Sequence, residues 1–226
     1  MKATTIGSIG CIGCIATASL LTACMQDPAV TDLANGEANT PNQAPLQPNF
    51  LILVADDLGY TDIGAFGGEI STPNLDGLAQ RSIKLTNFHV APTCAPTRSM
   101  LLSGNDNHTA GLGAMFGGNT LSGVDGQPGY ELYLHERVAT LPELLTDSGY
   151  HTYMAGKWHL GIQPGQTPGA RGFEHYFTLL PGAAPHHVAR ANEYEENGQR
   201  LEADITDFYS TQAHTDKLIE YIGANY

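Results

Sequence analysis

The sequence predicts an α/β domain with a mostly parallel central sheet flanked by helices. A continuous apolar run from Phe50 to Ala55 ends abruptly at two aspartates, as strands buried on both faces of a parallel sheet often do. Predicted helices alternate with further predicted strands along the chain. The 26 glycines and 13 prolines among 226 residues indicate many tight turns rather than a helical bundle.

Two helix–strand units follow the first strand. The first helix is predicted to begin after Thr72, which caps it ahead of Pro73. A strand is expected next, and its apolar residues are Ile83, Leu85 and Phe88. The second helix begins after Thr140 and ends at Gly149, and a strand then extends from residue 151 towards Lys157.

The last predicted element is an amphipathic helix from Asp207 to Ile222. Four apolar side chains are expected to face inward: Phe208, Leu218, Ile219 and Ile222.

The carboxyl ends of two predicted strands carry charged residues. Asp56 and Asp57 follow the first strand, and Lys157 and His159 follow a later one. Ligands of open α/β sheets gather at this edge, so a shared site is predicted. Strand spacing would place Lys157 and His159 on one face. The alternatives are an ordinary aspartate-rich turn and a solvated basic turn.

The segment around Cys94 predicts an anion site. Pro96 is expected at the first position of a helix, which puts Cys94 at the helix N-terminus. Amide groups and the helix dipole favour an anion there, and Arg98 adds a cation one turn along.

Charge restricts the partners. The chain carries 10 Lys and Arg against 23 Asp and Glu, a formal net charge of -13. Because such a surface repels a phosphate backbone, we expect no nucleic-acid partner. An anionic substrate would need the few cations concentrated in one pocket, and Arg98 and Lys157 are the candidates.

The first residues read as an export signal. A positive start precedes an apolar stretch, and Leu21–Cys24 resembles the bacterial lipobox. We expect a lipoprotein signal peptide over 1–23, with a lipidated Cys24 and a flexible tether over 24–48. The alternative is an uncleaved apolar leader. Because Met25 is not the aspartate that retains lipoproteins at the inner membrane, we expect an exported bacterial lipoprotein in the outer membrane or periplasm.

Residues 49–226 resemble the N-terminal part of the catalytic domain of the sulfatase family, in particular bacterial arylsulfatases. The signature C-x-P-x-R is matched by Cys94, Pro96 and Arg98. Further motifs recur in the same order: Asp56–Tyr60, Thr72–Asp76, Gly156–Gly161 and Arg171–Phe173. The resemblance implies an alkaline-phosphatase-like fold.

The resemblance also implies a modified nucleophile. A maturation enzyme would oxidise Cys94 to formylglycine, whose hydrate attacks sulfur with one hydroxyl and expels sulfate with the other. Arg98 would stabilise the hydrated aldehyde and Lys157 would bind a sulfate oxygen. His159 would hydrogen-bond the second hydroxyl and assist elimination of sulfate.

The implied cofactor is a calcium ion bound by Asp56, Asp57 and the hydroxyl of residue 94. The family also carries a second active-site histidine, an Asp-Asn pair and a further lysine, and none of these can be matched here. The domain is therefore expected to be incomplete at its C-terminus, and the chain alone to have little sulfatase activity.

The expected reaction is hydrolysis of a small-molecule or glycan sulfate ester to an alcohol and sulfate. Two alternatives remain at this point. One is a phosphonate or phosphate monoester hydrolase of the same superfamily. The other is a non-catalytic, truncated sulfatase-like surface protein.

Overall fold

Four helices and four strands make up the regular structure of the computed structural model, which describes residues 47–115 and 123–224. In chain order they are α1 (Pro73–Ala79), α2 (Cys94–Ser103), α3 (Leu141–Asp147), β1 (Tyr153–Lys157), β2 (His175–Leu179), β3 (Tyr194–Glu196), β4 (Gln199–Arg200) and α4 (Ser210–Gly223). Short 3-10 turns occur at Gly64–Phe66 and Pro168–Arg171. No helix in the described ranges has the length and apolar character needed to span a membrane.

The strands form a mixed sheet in the order β1-β2-β3-β4. β1 and β2 are parallel, with Tyr153 opposite His175 and Lys157 opposite Leu179. The other two pairings are antiparallel. Asn197 and Gly198 join β3 to β4 with φ of 46° and 84°, as a two-residue Asn-Gly hairpin turn requires. Of the three pairings among the described strands, the β1-β2 pairing is the parallel one.

Two predicted strands are wrong for the described residues. Phe50 to Ala55 lacks strand structure, and the side chains of Phe50 and Leu53 are 64% and 71% exposed. Residues 83–88 are likewise irregular, with Ile83 87% exposed. An apolar run becomes a buried strand only when other strands pair with it. None of the described strands pairs with either segment.

The predicted starts of α1 and α3 are confirmed, although the side chain of Thr72 makes no capping hydrogen bond, and α4 begins at Ser210, three residues after the predicted Asp207. α1 follows Thr72, and α3 begins with a capping box in which Thr140 and Glu143 satisfy each other's backbone amides. α2 begins at Cys94 itself, two residues earlier than the position of Pro96 suggested.

The prediction of the inward face of α4 is wrong in part. Ile219 and Ile222 are 63% and 37% exposed, whereas Tyr221 is buried. Phe208 packs against the same cluster as Tyr221, as expected. The aromatic Tyr221 faces the sheet because its ring stacks on His175 of β2, at a centroid distance of 5.6 Å.

The core that supports the site centres on Trp158, which is fully buried with Ala95, Leu134, Leu160 and other apolar side chains. Its indole nitrogen donates a hydrogen bond to the carbonyl of Gln166 at 2.8 Å. Because Trp158 lies between Lys157 and His159, its anchoring fixes the backbone from which both side chains project.

Arg171 joins α3 to the loop that precedes it. Its buried guanidinium donates to the carbonyls of Leu134 and Val138, each at 2.6 Å, and to the carboxylate of Glu143 at 3.0 Å. Burial raises the pKa of Glu143, but hydrogen bonds and charge from Arg171 outweigh it and the pKa is lowered. Arg171 therefore has a structural role.

Candidate active site

Cys94 occupies the first turn of α2, as the sequence predicted. Its thiol sulfur lies 3.2 Å from Nδ1 of His159 and 3.4 Å from the thioether sulfur of Met115. The adjoining residues Ala95 and Pro96 are buried, so the start of the helix is fixed in the core. Residue 94 therefore presents its side chain to His159 from a rigid position.

His159 reaches this position from just beyond β1. Its backbone is left-handed, with φ of 57°, and its amide donates to the carbonyl of Leu180 at 3.1 Å. The side chain is buried, with 7% of the residue exposed. Strand alternation therefore does not orient His159, as the sequence analysis had assumed, although the residue does join Lys157 in one site. A left-handed backbone at a non-glycine residue is a strained conformation typical of functional sites.

Three charged side chains form a linked group beside residue 94. Asp56 accepts from Lys157 Nζ at 2.8 Å with one oxygen and from Arg98 Nη2 at 3.2 Å with the other. Arg98 Nη1 also donates to the carbonyl of Lys157 at 2.8 Å. Arg98 and Lys157 are mostly buried, with side chains 12% and 15% exposed. Two cations of an acidic chain are thus concentrated at one place.

The pKa of Asp56 reflects this arrangement. Burial raises the pKa of the carboxyl, but hydrogen bonds and charge from Lys157 and Arg98 outweigh that effect and lower it below the usual value. Asp56 is therefore ionised at neutral pH, and it neutralises part of the positive charge available to an anionic ligand.

The predicted metal ligands Asp56 and Asp57 do not form a metal site within the described residues. Asp57 follows Asp56 with φ of 55°, and its exposed carboxylate forms no hydrogen bond or ion pair with residues 47–115 or 123–224. Within those ranges no three His, Cys, Asp or Glu side chains converge as a metal site. Carboxylates suit calcium, but two of them supply only part of the roughly 6–8 oxygens that calcium takes.

A cleft of about 270 Å³ opens beside His159. Its walls are mostly apolar or uncharged and include Leu132, Tyr133, Ile162, Pro181 and Gln163. No sequence pattern points to these residues or to Met115, because loop residues brought together by tertiary structure leave no periodic pattern.

The sulfatase family model matches residues 48–225 of the chain. The chain belongs to the sulfatase family. It is 40% identical to an arylsulfatase of Klebsiella aerogenes over 205 residues, which are 87% of this chain and 43% of the relative. It is 47% identical to an uncharacterised sulfatase of Schizosaccharomyces pombe over 193 residues, 78% of this chain and 34% of the relative. The chain spans less than half the length of these curated relatives.

Solved structures agree with the sulfatase assignment. The crystal structure of Ps i-CgsB superposes with a TM-score of 0.62 at 27% identity, covering 76% of this chain and 40% of that one. BT4656, solved with its substrate D-glucosamine-2-N,6-O-disulfate, gives a TM-score of 0.51 at 27% identity, covering 74% of this sulfatase chain and 29% of that one. The likenesses confirm an alkaline-phosphatase-like α/β fold, of which this chain is a part.

Proposed function

We propose that the sulfatase carrying this chain hydrolyses a sulfate ester to an alcohol and sulfate. The observation that carries the proposal is the convergence of Cys94, Arg98, Lys157 and His159 at the start of α2. Two cations suit an anionic ester, and an imidazole beside residue 94 can exchange a proton with a hydroxyl there.

We propose that Cys94 is oxidised to formylglycine by a maturation enzyme, and that the hydrated aldehyde then supplies the attacking hydroxyl. Arg98 and Lys157 bind the anionic end of the substrate. His159, held 3.2 Å from the side chain of residue 94, exchanges a proton with a hydroxyl there and so assists release of sulfate.

We further propose that Asp56 and Asp57 belong to a calcium site completed by ligands outside the described residues. The oxygen chemistry of the two carboxylates suits calcium. When bound, calcium would supply positive charge that polarises a sulfate oxygen. Binding of calcium by Asp56 would then weaken or replace the contacts of Asp56 with Arg98 and Lys157.

The alcohol portion of the substrate is proposed to lie in the cleft beside His159. The cleft volume of about 270 Å³ suits a single ring, whether an aryl group or one sugar unit. A small-molecule or glycan sulfate ester is therefore the proposed substrate class, and BT4656 provides a relative whose substrate is a sulfated sugar.

The reaction class is tested by comparing kcat/KM for 4-nitrophenyl sulfate and 4-nitrophenyl phosphate in the complete enzyme, produced with a formylglycine-generating enzyme. The proposal expects the sulfate ester to be hydrolysed more efficiently. Higher efficiency on the phosphate ester would favour a phosphate or phosphonate monoester hydrolase, and turnover of neither would favour a non-catalytic protein.

We propose that the protein is exported and anchored through a lipid on Cys24, which lies outside the described residues together with the predicted signal peptide and nearly all of the tether. Radiolabelled palmitate should enter the wild-type protein and not a Cys24→Ala variant, and the label should fractionate with the outer membrane. Absence of label from the wild type would refute the lipid anchor, and recovery in the inner membrane would refute the location.

A further inference from the structure

Gly182 lies against the ring of His159. A methyl group built at the Cα of Gly182 would lie 2.4 Å from Cε1, 2.5 Å from Nε2 and 2.9 Å from Nδ1 of that ring. Ordinary contacts between such atoms are about 3.5–4.0 Å. The imidazole therefore fills the space that any side chain at position 182 would need.

The backbone that carries the ring has little freedom to move. His159 is buried, and its amide is held by the carbonyl of Leu180 in the same turn that leads to Gly182. Its neighbours Trp158 and Leu160 are fully buried, so the backbone on both sides is fixed. A group added at position 182 must consequently displace the imidazole rather than the chain that carries it.

The backbone of Gly182 does not itself require glycine, since its φ is outside the left-handed region. The contact with His159 is thus the feature that a Gly182→Ala substitution would change. In this respect Gly182 differs from most glycines in the described loops, whose positive φ alone would penalise a side chain.

We propose that Gly182 is a positioning residue, whose missing side chain lets His159 keep Nδ1 within hydrogen-bonding distance of the side chain of residue 94. That this positioning aids catalysis rests on the proposed function, whereas the contact between Gly182 and His159 does not depend on it. Gly182 touches no reacting atom in this account and acts only through the imidazole.

The first test is a double-mutant cycle in the full chain, expressed without a maturation enzyme so that residue 94 stays a cysteine. Steric overlap with the imidazole, and the displacement that relieves it, should make Gly182→Ala lower the melting temperature by about 5 °C. The same substitution in a His159→Ala background should cost almost nothing, because the obstructing ring is gone. Gly77→Ala, at a helical glycine with open space around its Cα, is the matched control and should not lower the melting temperature, because alanine favours a helix over glycine.

The second readout is the rate of Cys94 alkylation by iodoacetamide at pH 7, measured by mass spectrometry on the tryptic peptide spanning residues 85–98. The imidazole contacts the thiol sulfur at 3.2 Å and can act as a general base when that sulfur attacks, so displacing the ring should slow alkylation about threefold or more. Gly182→Ala and His159→Ala should slow it equally, and Gly77→Ala should not. Because alkylation needs no sulfatase turnover, failure of the proposed function would not affect it.

The proposal is overturned by either of two results. One is a Gly182→Ala penalty that is the same with and without His159, which would make the glycine merely structural. The other is unchanged Cys94 alkylation in a folded Gly182→Ala protein. In the complete enzyme the accompanying result would be a lower kcat with little change in KM.

Discussion

The ammonium group of Lys157 lies 2.8 Å from a carboxylate oxygen of Asp56, although 101 residues separate the two in the chain. The other oxygen of Asp56 contacts Arg98 at 3.2 Å. A single carboxylate thus holds the two cations that the proposed function assigns to the sulfate group. Binding of an anion at this place must compete with Asp56.

Asp56→Asn should strengthen binding of inorganic sulfate to the metal-free chain. Removing the carboxylate leaves the charges of Arg98 and Lys157 uncompensated, and at a partly exposed site the gain should be about three- to tenfold in affinity. Isothermal titration calorimetry in the presence of a chelator measures it. Asp147→Asn, which changes an exposed carboxylate at the end of α3, is the control for net charge. Unchanged or weaker sulfate binding by Asp56→Asn would contradict the competition.

Arg171→Met should lower the free energy of unfolding by about 3–5 kcal/mol. The substitution keeps much of the volume but leaves the carbonyls of Leu134 and Val138 and the carboxylate of Glu143 without their partner. Urea denaturation provides the measurement. Arg190→Met is the matched control, because Arg190 is 54% exposed and pairs with Glu193 only at 3.7 Å. A loss no larger than that of the control would show that the guanidinium does not hold these elements together.

His214 should make the fold less stable in acid. Burial, with a smaller contribution from the charge of His186, lowers the pKa of His214 to about 4 from 6.5. The unfolded chain therefore binds more protons between these values, so stability is fully present above pH 6.5 and is lost as the pH falls towards 4. The loss should be at most about 3 kcal/mol.

A His214→Leu variant tests this assignment, because it removes the titrating group while keeping an apolar side chain among Phe177 and Tyr194. Unfolding curves at pH 7, 5.5 and 4.5 should show a smaller decline in the variant than in the wild type. The substitution His151→Leu, at a largely exposed ring, is the control and should preserve the wild-type decline. Equal declines in wild type and His214→Leu would exclude His214 as the source.

Sequence patterns predicted the parts of the fold that local chemistry determines. Thr140 was recognised as a cap because its hydroxyl acts within one turn, and Cys94 was placed at a helix start for a similar reason. The apolar run at Phe50 was wrongly assigned to a strand, since pairing depends on other parts of the chain. Ile219 on α4 is apolar but largely exposed, so apolar character alone does not predict its burial.

The candidate site was predictable in its residue types and not in its contacts. The motifs pointed to Cys94 and His159, and the structure brings them together across 65 residues. The left-handed turn that aims His159, and the room that Gly182 leaves for it, arise from tertiary packing. Neither has a signal in local spacing, because glycine occurs in many turns for reasons unrelated to a neighbouring ring.

The central claim is that residue 94 is the nucleophile of a sulfate ester hydrolase. Its most direct test is the turnover of 4-nitrophenyl sulfate by the complete enzyme and by its Cys94→Ala variant, each produced with a formylglycine-generating enzyme. Turnover by the variant is expected to fall to the uncatalysed background, while its melting temperature stays close to that of the wild type. Retained turnover in a folded Cys94→Ala protein would contradict the claim.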